Sequence, residues 1–461
     1  MHREYKKPLR IFFISSFFLF LVSCGGGSSS SSESSGSSFQ SYTWETAEPE
    51  AVGLTSDNIN SALNYALGAA DANFRFSQSA IIAKDGLIVG EGYKGISTAE
   101  KNSILAASNT ITDAELEAGW GTRTAESLVH SWSMGKSFTS ILIGIAQDQG
   151  ILSINDAAST YINEWNNAGD QRQYITIKNL LDMSSGLHQG CYNADEADYV
   201  GNCADSPLYP QNASSGGDFA KANDQLTGCI NQTYNDAKHG AHDVTTPFAE
   251  YFVYSNCDTM ILGEILYRAS GQNIYRFGQE NLFNKLGITA YWWRDNVTYG
   301  QDNGNYVSYA GLDMTARDFL KVGQLLLNDG MWEGERVLSS AYVQQIINAT
   351  RLNPYGLKFW KYTPNENFSP PTTHLAGMVG FDGQYVVMDF DNNILIARNS
   401  LYVPRLELNS ERKMIVSTVE GAAVNFPLTV PTILTTTAEN TLATTFQMFQ
   451  MISCLYVAEG C

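Results

Sequence analysis

Ser133 and Lys136, in the stretch Ser131-Trp132-Ser133-Met134-Gly135-Lys136, carry the strongest chemical signal in the chain. The run that follows, 138–146, is mostly apolar and reads as a buried helix. Residues three apart share a helix face, so a hydroxyl and an amine would stand side by side near its first turn. A serine hydroxyl is a poor nucleophile until a nearby base takes its proton, and a desolvated lysine can be that base. Ser-x-x-Lys is a known pattern of serine acyl enzymes. The pattern is short, and serine is also a favoured helix cap. Ser410 and Lys413 repeat the spacing between polar and charged flanks, where a solvated turn is the better reading. The first copy instead has His130, Trp132, Phe138, Ile141, Leu142 and Ile145 around it.

Two later stretches could complete a site. Tyr254-Ser255-Asn256 precedes a helical run beginning near Asp258. A tyrosine phenol beside a lysine can act as general acid or base. An asparagine amide can orient the lysine and donate to a substrate carbonyl. Tyr161-Ile162-Asn163 repeats that spacing, and there a structural tyrosine at a helix end is expected. The third stretch, His374-Leu375-Ala376-Gly377-Met378-Val379-Gly380-Phe381-Asp382-Gly383, spaces glycines along a strand. Such glycines let a ligand approach the backbone. A main-chain N–H there could join that of Ser133 as an oxyanion hole.

Taken in order on a helix, a loop and a late strand, these motifs resemble the serine β-lactamase and penicillin-binding-protein-like hydrolases. The similarity is to the branch nearest class C enzymes, family-VIII-type esterases and 6-aminohexanoate-dimer hydrolase. It runs from about Glu48 to Val403 and includes Lys84-Asp85-Gly86, Ile175-Thr176-Ile177, the segment Leu180-Leu181-Asp182-Met183-Ser184-Ser185-Gly186-Leu187 and Thr315-Ala316-Arg317-Asp318. The resemblance implies Ser133 as nucleophile, Lys136 as its base partner and Tyr254 sharing proton transfer. It also implies Asn256 orienting, with the N–H groups of Ser133 and Met378, next to Gly377, as the oxyanion hole. At the third motif the chain departs from the Lys-Thr-Gly typical of lactamases and transpeptidases, with Leu375-Ala376-Gly377 aligned there. A charge-assisted hydrogen bond is worth about 1.5–3 kcal/mol, so losing the lysine weakens recognition of β-lactam carboxylates. An ester or linear amide substrate is therefore expected. A β-lactamase or cell-wall DD-peptidase is the alternative, and a non-catalytic surface binding protein a second. No cofactor and no metal is implied.

The elements that must position these residues follow from pattern. Ser79 to Tyr93 reads as a hairpin turning at Asp85-Gly86. A helix is expected over 56–69, and another from Ser133 to about Asp148, stopped by Gln149-Gly150. Thr176 caps a helix that continues through Leu180 to Met183 and ends at Ser184-Ser185-Gly186. Further helices are expected over 258–270, 275–286, 315–328 and 436–452, with strands over 374–383, 385–388, 393–398 and 414–418. Strands toward both chain ends with helices between them indicate an α/β fold of the α+β type. By resemblance it is β-lactamase/transpeptidase-like, an antiparallel sheet flanked by helices plus a mostly helical region. The expected domain is 45–461, with a sheet part about 45–125 and 310–461 and a helical part about 126–309. Within it, 189–246 is rich in Asn, Asp, Gly and Ala and reads as an insertion held by disulfides. Asn193, Asp195 and Asp198 lack the EF-hand pattern, so that stretch reads as a solvated acidic loop and not a calcium site.

The chain of 461 residues carries a formal net charge of −19, which argues against nucleic acid as a partner. Its first 23 residues read as a signal peptide, a basic start followed by a short apolar run. Leu21-Val22-Ser23-Cys24 resembles the lipobox of bacterial lipoproteins, with Cys24 lipidated and a Gly/Ser tether over 24–44. The expectation is an exported protein anchored to the membrane by that lipid, facing the periplasm or the cell surface. Export predicts disulfides among Cys191, Cys203, Cys229, Cys257, Cys454 and Cys461. The connectivity is open in sequence; local pairs 191–203, 229–257 and 454–461 are the guess. Oligomeric state is not indicated.

Overall fold

The computed structural model describes residues 42–68, 76–107, 112–167, 169–187, 224–232, 234, 254–294, 304–348, 355–362, 372, 374–380, 383–400, 414–417, 423–426 and 451–456. The signal segment, Cys24, the tether as far as residue 41, Cys191, Cys203, Cys461, the acidic loop and the Ser410 to Lys413 copy lie outside them. The end of the expected tether belongs to the fold instead, because Trp44 is buried in the large core and its Nε1–H donates to Arg317 O at 3.1 Å.

The helices in chain order are α1 (Ser56–Ala66), α2 (Thr98–Ala107), α3 (Asp113–Trp120), α4 (Met134–Asp148), α5 (Ile177–Leu181), α6 (Gln225–Ile230), α7 (Asn256–Ser270), α8 (Ile274–Gly278), α9 (Ala316–Leu327) and α10 (Ser340–Asn348). The strands are β1 (Ser77–Lys84), β2 (Leu87–Tyr93), β3 (Leu128–His130), β4 (Tyr291–Trp293), β5 (Leu312–Thr315), β6 (Met331–Trp332), β7 (Glu335–Arg336), β8 (Tyr355–Gly356), β9 (Phe359–Tyr362), β10 (Leu375–Gly380), β11 (Gln384–Asp389), β12 (Ile394–Ser400), β13 (Met414–Ser417) and β14 (Ala423–Phe426).

The main sheet has seven strands in the order β2-β1-β12-β11-β10-β9-β8, every neighbour antiparallel. The expected hairpin opens it, with Asp85 (φ 53°) and Gly86 (φ 83°) supplying the left-handed pair that suits a two-residue turn. Along its strands the side chains alternate between two cores. Ile81, Ala83, Ala376, Met378, Val386, Met388, Leu395 and Ala397 face the large core built with α4, α7 and α9. Ala80, Ile82, Leu375, Val379, Val387, Ile394 and Ile396 face α1 and the buried residues Met451, Ile452 and Leu455. Period-two alternation with both faces apolar gives a sheet covered on both sides.

A second sheet, in the order β14-β13-β4-β5-β3, was not anticipated. It places β3 and β4 inside the part read as mostly helical. Its pairing of His130 with Asp313 sets where β3 delivers the chain to Ser133. The helix expected over 275–286 is instead α8 followed by a π-helical turn, Gln279–Phe283. The insertion also contributes more than a loop, because α6 buries Cys229 and Ile230 in the large core. Of the expected disulfides, Cys229–Cys257 joins α6 to the first turn of α7. Cys454 is disulfide-bonded as well.

Candidate active site

Every residue of α4 from Met134 to Ala146 is buried, so the helix sits inside the core, with its polar side chains Lys136, Ser137, Thr139 and Ser140 hydrogen-bonded there. It packs against α7 and β10. Gly135 makes one of these approaches possible, since a Cβ there would lie 2.9 Å from Ala310 Cα. That closeness brings the Tyr309 carbonyl within 3.3 Å of Lys136 Nζ.

Ser133 occupies the N-cap position of α4, yet its side chain makes no capping hydrogen bond. The ordinary use of a serine at this place is therefore not its use here. Its Oγ instead accepts from Lys136 Nζ at 2.9 Å. The residue before it, Trp132, has φ 44°, a left-handed conformation that bulky side chains rarely adopt. The Ser131 hydroxyl donates to Trp132 O at 3.0 Å and accepts from the Leu312 N–H at 3.0 Å. The Ser131 N–H donates to Leu312 O at 2.7 Å. These bonds over-determine the turn, which is the condition for backbone strain to persist.

Behind the turn lies a buried cluster of which the sequence pointed only to His130, as a flank of Ser133. His130 Nδ1 and Asp313 Oδ1 are 2.6 Å apart, and Trp293 Nε1 donates to Asp313 Oδ2 at 2.7 Å. The His130 ring lies 4.2 Å from the Trp293 ring, centroid to centroid. This cluster anchors β3 and so fixes the strand that ends at Ser131.

Lys136 is wholly buried, and burial first, then the nearby positive charge of Lys358, holds its pKa well below the ordinary lysine value. Its amine stands 4.8 Å from the centroid of the Tyr254 ring and 5.2 Å from that of Tyr309. Tyr254 is half-buried and stacks on Trp360 at 5.7 Å, with Tyr355 edge-on at 5.7 Å. Asn256 is buried in the first turn of α7, whose cap is Ser255 accepting from the Asp258 N–H at 3.0 Å. Serine, lysine and phenol thus converge from α4 and the start of α7. The competing copy does not join them, for the Tyr161 hydroxyl donates to Asp156 at 3.0 Å beside short 3-10 turns.

The glycine-bearing strand runs alongside the nucleophile turn. A Cβ on Gly380 would lie 2.3 Å from Ser131 O and 3.1 Å from Trp132 Cβ. Pairing of β9 with β10 ends at Gly377 among the described residues, so Met378 follows the last paired position on that side. The Met378 side chain is buried in the large core and the Leu375 side chain in the opposite one. Leu375 thus brings no basic group to this cleft.

Sequence reasoning missed a second buried lysine. Lys358 is 1% exposed in the link between β8 and β9. The available signal was a lone charge inside the aromatic-rich run Tyr355-Gly356-Leu357-Lys358-Phe359-Trp360. Among the described residues no group of three or more His, Cys, Asp or Glu is arranged to hold a metal ion, and no helix is long and apolar enough to cross a membrane.

The profile of the Beta-lactamase family matches residues 104–402. A protein of Escherichia coli O157:H7 named "Putative D-alanyl-D-alanine carboxypeptidase" is 23% identical over 397 residues, covering 76% of this chain and 83% of that protein. A 6-aminohexanoate-dimer hydrolase of Paenarthrobacter ureafaciens is 24% identical over 219 residues, 47% of this chain and 49% of that one. Among solved structures, one named "Putative 6-aminohexanoate-dimer hydrolase from Bacillus anthracis" has the same fold, with TM-score 0.52 at 19% identity over 78% of this chain and 82% of that one. With the paired serine and lysine on the buried helix and the antiparallel sheet beside them, the chain belongs to the Beta-lactamase family and is a serine acyl hydrolase.

Proposed function

We propose that Ser133 forms an acyl-enzyme with a small ester or linear amide, which water then hydrolyses. The observation that carries this reading is the 2.9 Å contact between Ser133 Oγ and a buried Lys136 amine whose neutral form is favoured. A neutral amine has a lone pair that can take the hydroxyl proton along that line. Attack on the carbonyl places negative charge on its oxygen, which the N–H groups of Ser133 and Met378 stabilise. Tyr254, beside Lys136, relays the proton to the leaving group, with Asn256 orienting the lysine and substrate. After the leaving group departs, the same groups activate water against the acyl-serine. The Paenarthrobacter relative is named a 6-aminohexanoate-dimer hydrolase, and the aromatic wall of Tyr254, Tyr355 and Trp360 suits an uncharged acyl chain.

Turnover of p-nitrophenyl esters and short linear amides by protein lacking the tether tests this, with nitrocefin in parallel. Ester or amide turnover abolished in Ser133→Ala, with weak nitrocefin hydrolysis, is the expected result. Efficient nitrocefin hydrolysis would contradict the inference from Leu375. The leader, Cys24 and the tether support a further part of the reading, a lipid-anchored protein exported to the periplasm or cell surface. Globomycin-sensitive processing and detergent-phase partitioning that Cys24→Ser abolishes are expected of it; a Cys24→Ser protein that still partitions with membranes would refute it.

A further inference from the structure

Lys358 and Asp258 are two buried ionisable groups with no part in the mechanism above. The main chain at Lys358 is tied to the residue after the base, the Ser137 hydroxyl donating to Lys358 O at 2.6 Å. Its Nζ stands 3.0 Å from Met183 Sδ, and the same sulfur accepts from the Ser255 N–H at 3.2 Å. A single thioether therefore separates the ammonium from the Tyr254-Ser255-Asn256 motif. Asp258, one turn further along α7, accepts from the Ser185 hydroxyl at 2.7 Å, while its Oδ2 has no hydrogen-bond partner among the described residues.

The backbone around this ammonium is strained in three places. Met183, Leu357 and Lys358 have φ of 57°, 48° and 64°. The Leu357 N–H donates to Asp182 Oδ1 at 3.0 Å and the Lys358 N–H to Leu181 O at 3.1 Å, which ties the three together. Burying a charge beside a thioether and twisting the chain to do so costs stability, and an apolar side chain would be cheaper there. Strain of this kind clusters where it serves function.

We propose that Lys358 is a positioning residue for the acylation step: its buried amine, charged on the acidic side of the pH profile, disfavours a second positive charge on Lys136 and so leaves that amine ready to take the Ser133 proton. This rests on the reading of Ser133 and Lys136 given above. The groups facing Lys136 are Ser133 on its own helix, Tyr254, Tyr309 and Lys358. Those facing Lys358 are Asp258 from α7 and Asp182 from the end of α5. Asp182 also binds Lys178 at 3.0 Å and influences Lys361 and Tyr355. Burial raises the Asp258 carboxyl against the pull of Lys358, and lowers Lys358 against the pull of Asp258 and Asp182. The like charge of Lys358 acts on Lys136 in the same direction as burial.

The test is the pH dependence of kcat/KM on a p-nitrophenyl ester in the wild type, Lys358→Met, Lys358→Arg and the double variant Lys358→Met/Asp258→Asn. Loss of the charge is expected to move the acidic limb upward by about one pH unit, so that activity on the limb falls about tenfold. Lys358→Arg keeps the charge and is expected to keep the limb at its wild-type position. The double variant removes the Asp258 carboxylate together with the ammonium, leaving Asp182 paired with Lys178, and gives the answer if Lys358→Met does not fold. A limb that stays in place or moves down when the charge is removed, whatever happens to the maximal rate, overturns the proposal. Ser133→Ala separates the two failures. If it retains turnover, the reading of Ser133 fails. If it is inactive and the limb does not move in the charge-removing variants, only the role of Lys358 fails.

Discussion

Gly380→Ala is a single methyl added at the seam between the sheet and the nucleophile turn. Its Cβ would lie 2.3 Å from Ser131 O and 3.0 Å from Gln384 Cβ, and the first of these is a backbone atom that cannot swing aside. Restoring an ordinary contact requires β10 and the Ser131-Trp132 turn to separate by about 1 Å, and a displacement of that size at a reacting centre costs about 100-fold in rate. Because Ser131 holds the left-handed Trp132 through its own hydrogen bonds, the displacement falls on Ser133 and the Met378 main chain together. Steady-state hydrolysis of a p-nitrophenyl ester should show the loss mainly in kcat, with KM changed little. Overpacking of this kind destabilises by about 1–3 kcal/mol, so thermal unfolding should still be cooperative. Gly119→Ala, at a site with open space around the added Cβ, serves as the control for the methyl itself. Wild-type kcat in Gly380→Ala, with unfolding also unchanged, would refute the claim that β10 abuts the nucleophile turn.

Further predictions address what surrounds that seam. Replacing both Cys229 and Cys257 by Ser opens a link of sequence separation 28, worth about 3–4 kcal/mol by loop entropy, to be read as a lower urea midpoint. Activity should fall with it, because α6 carries Gln225, which accepts from the Tyr309 hydroxyl at 3.0 Å behind Lys136. His130→Ala leaves the buried Asp313 carboxylate with one partner fewer and should cost about 1–3 kcal/mol in unfolding free energy. An unchanged urea midpoint would show that the His130–Asp313 contact carries no net stability. In the wild type, a base with a depressed pKa loses its proton earlier as pH rises, so ester hydrolysis should reach its plateau well below the pH at which a free lysine titrates. The linked effect on stability has the matching sign. Between the folded and unfolded pKa of Lys136 the unfolded chain binds the extra proton, so this group's contribution to stability falls as pH is lowered through that window.

What was legible in the sequence was whatever rests on short-range pattern. Asp85-Gly86 between apolar runs specifies a hairpin, Thr176 with Asn179 makes a capping box, and the mostly apolar run 138–146 after Ser133 reads as a buried helix. The convergence of Ser133, Lys136 and Tyr254 was readable only because three motifs occurred in one order, since each alone has a common structural use. The second sheet was not legible. β3, β4 and β5 are three or four residues long, too short for an alternation to announce them, and β3 pairs with β5 across more than 180 positions. His130, Asp313 and Lys358 escaped for a related reason. Their significance lies in partners brought by distant strands and in burial, neither of which a charged or polar letter in a sequence displays. The break of the 275–286 helix into a π-helical turn likewise answers to packing, where Phe283 meets Phe138 and Trp292.

The covalent intermediate offers the most direct test of the central claim. Tether-free protein is mixed with a fluorophosphonate, digested and mapped by mass spectrometry, with Ser133→Ala and Lys136→Met alongside. One adduct per chain is predicted, on the peptide holding Ser133, absent from Ser133→Ala and formed far more slowly in Lys136→Met. An adduct on any other residue, or equal labelling of all three proteins, would contradict the account.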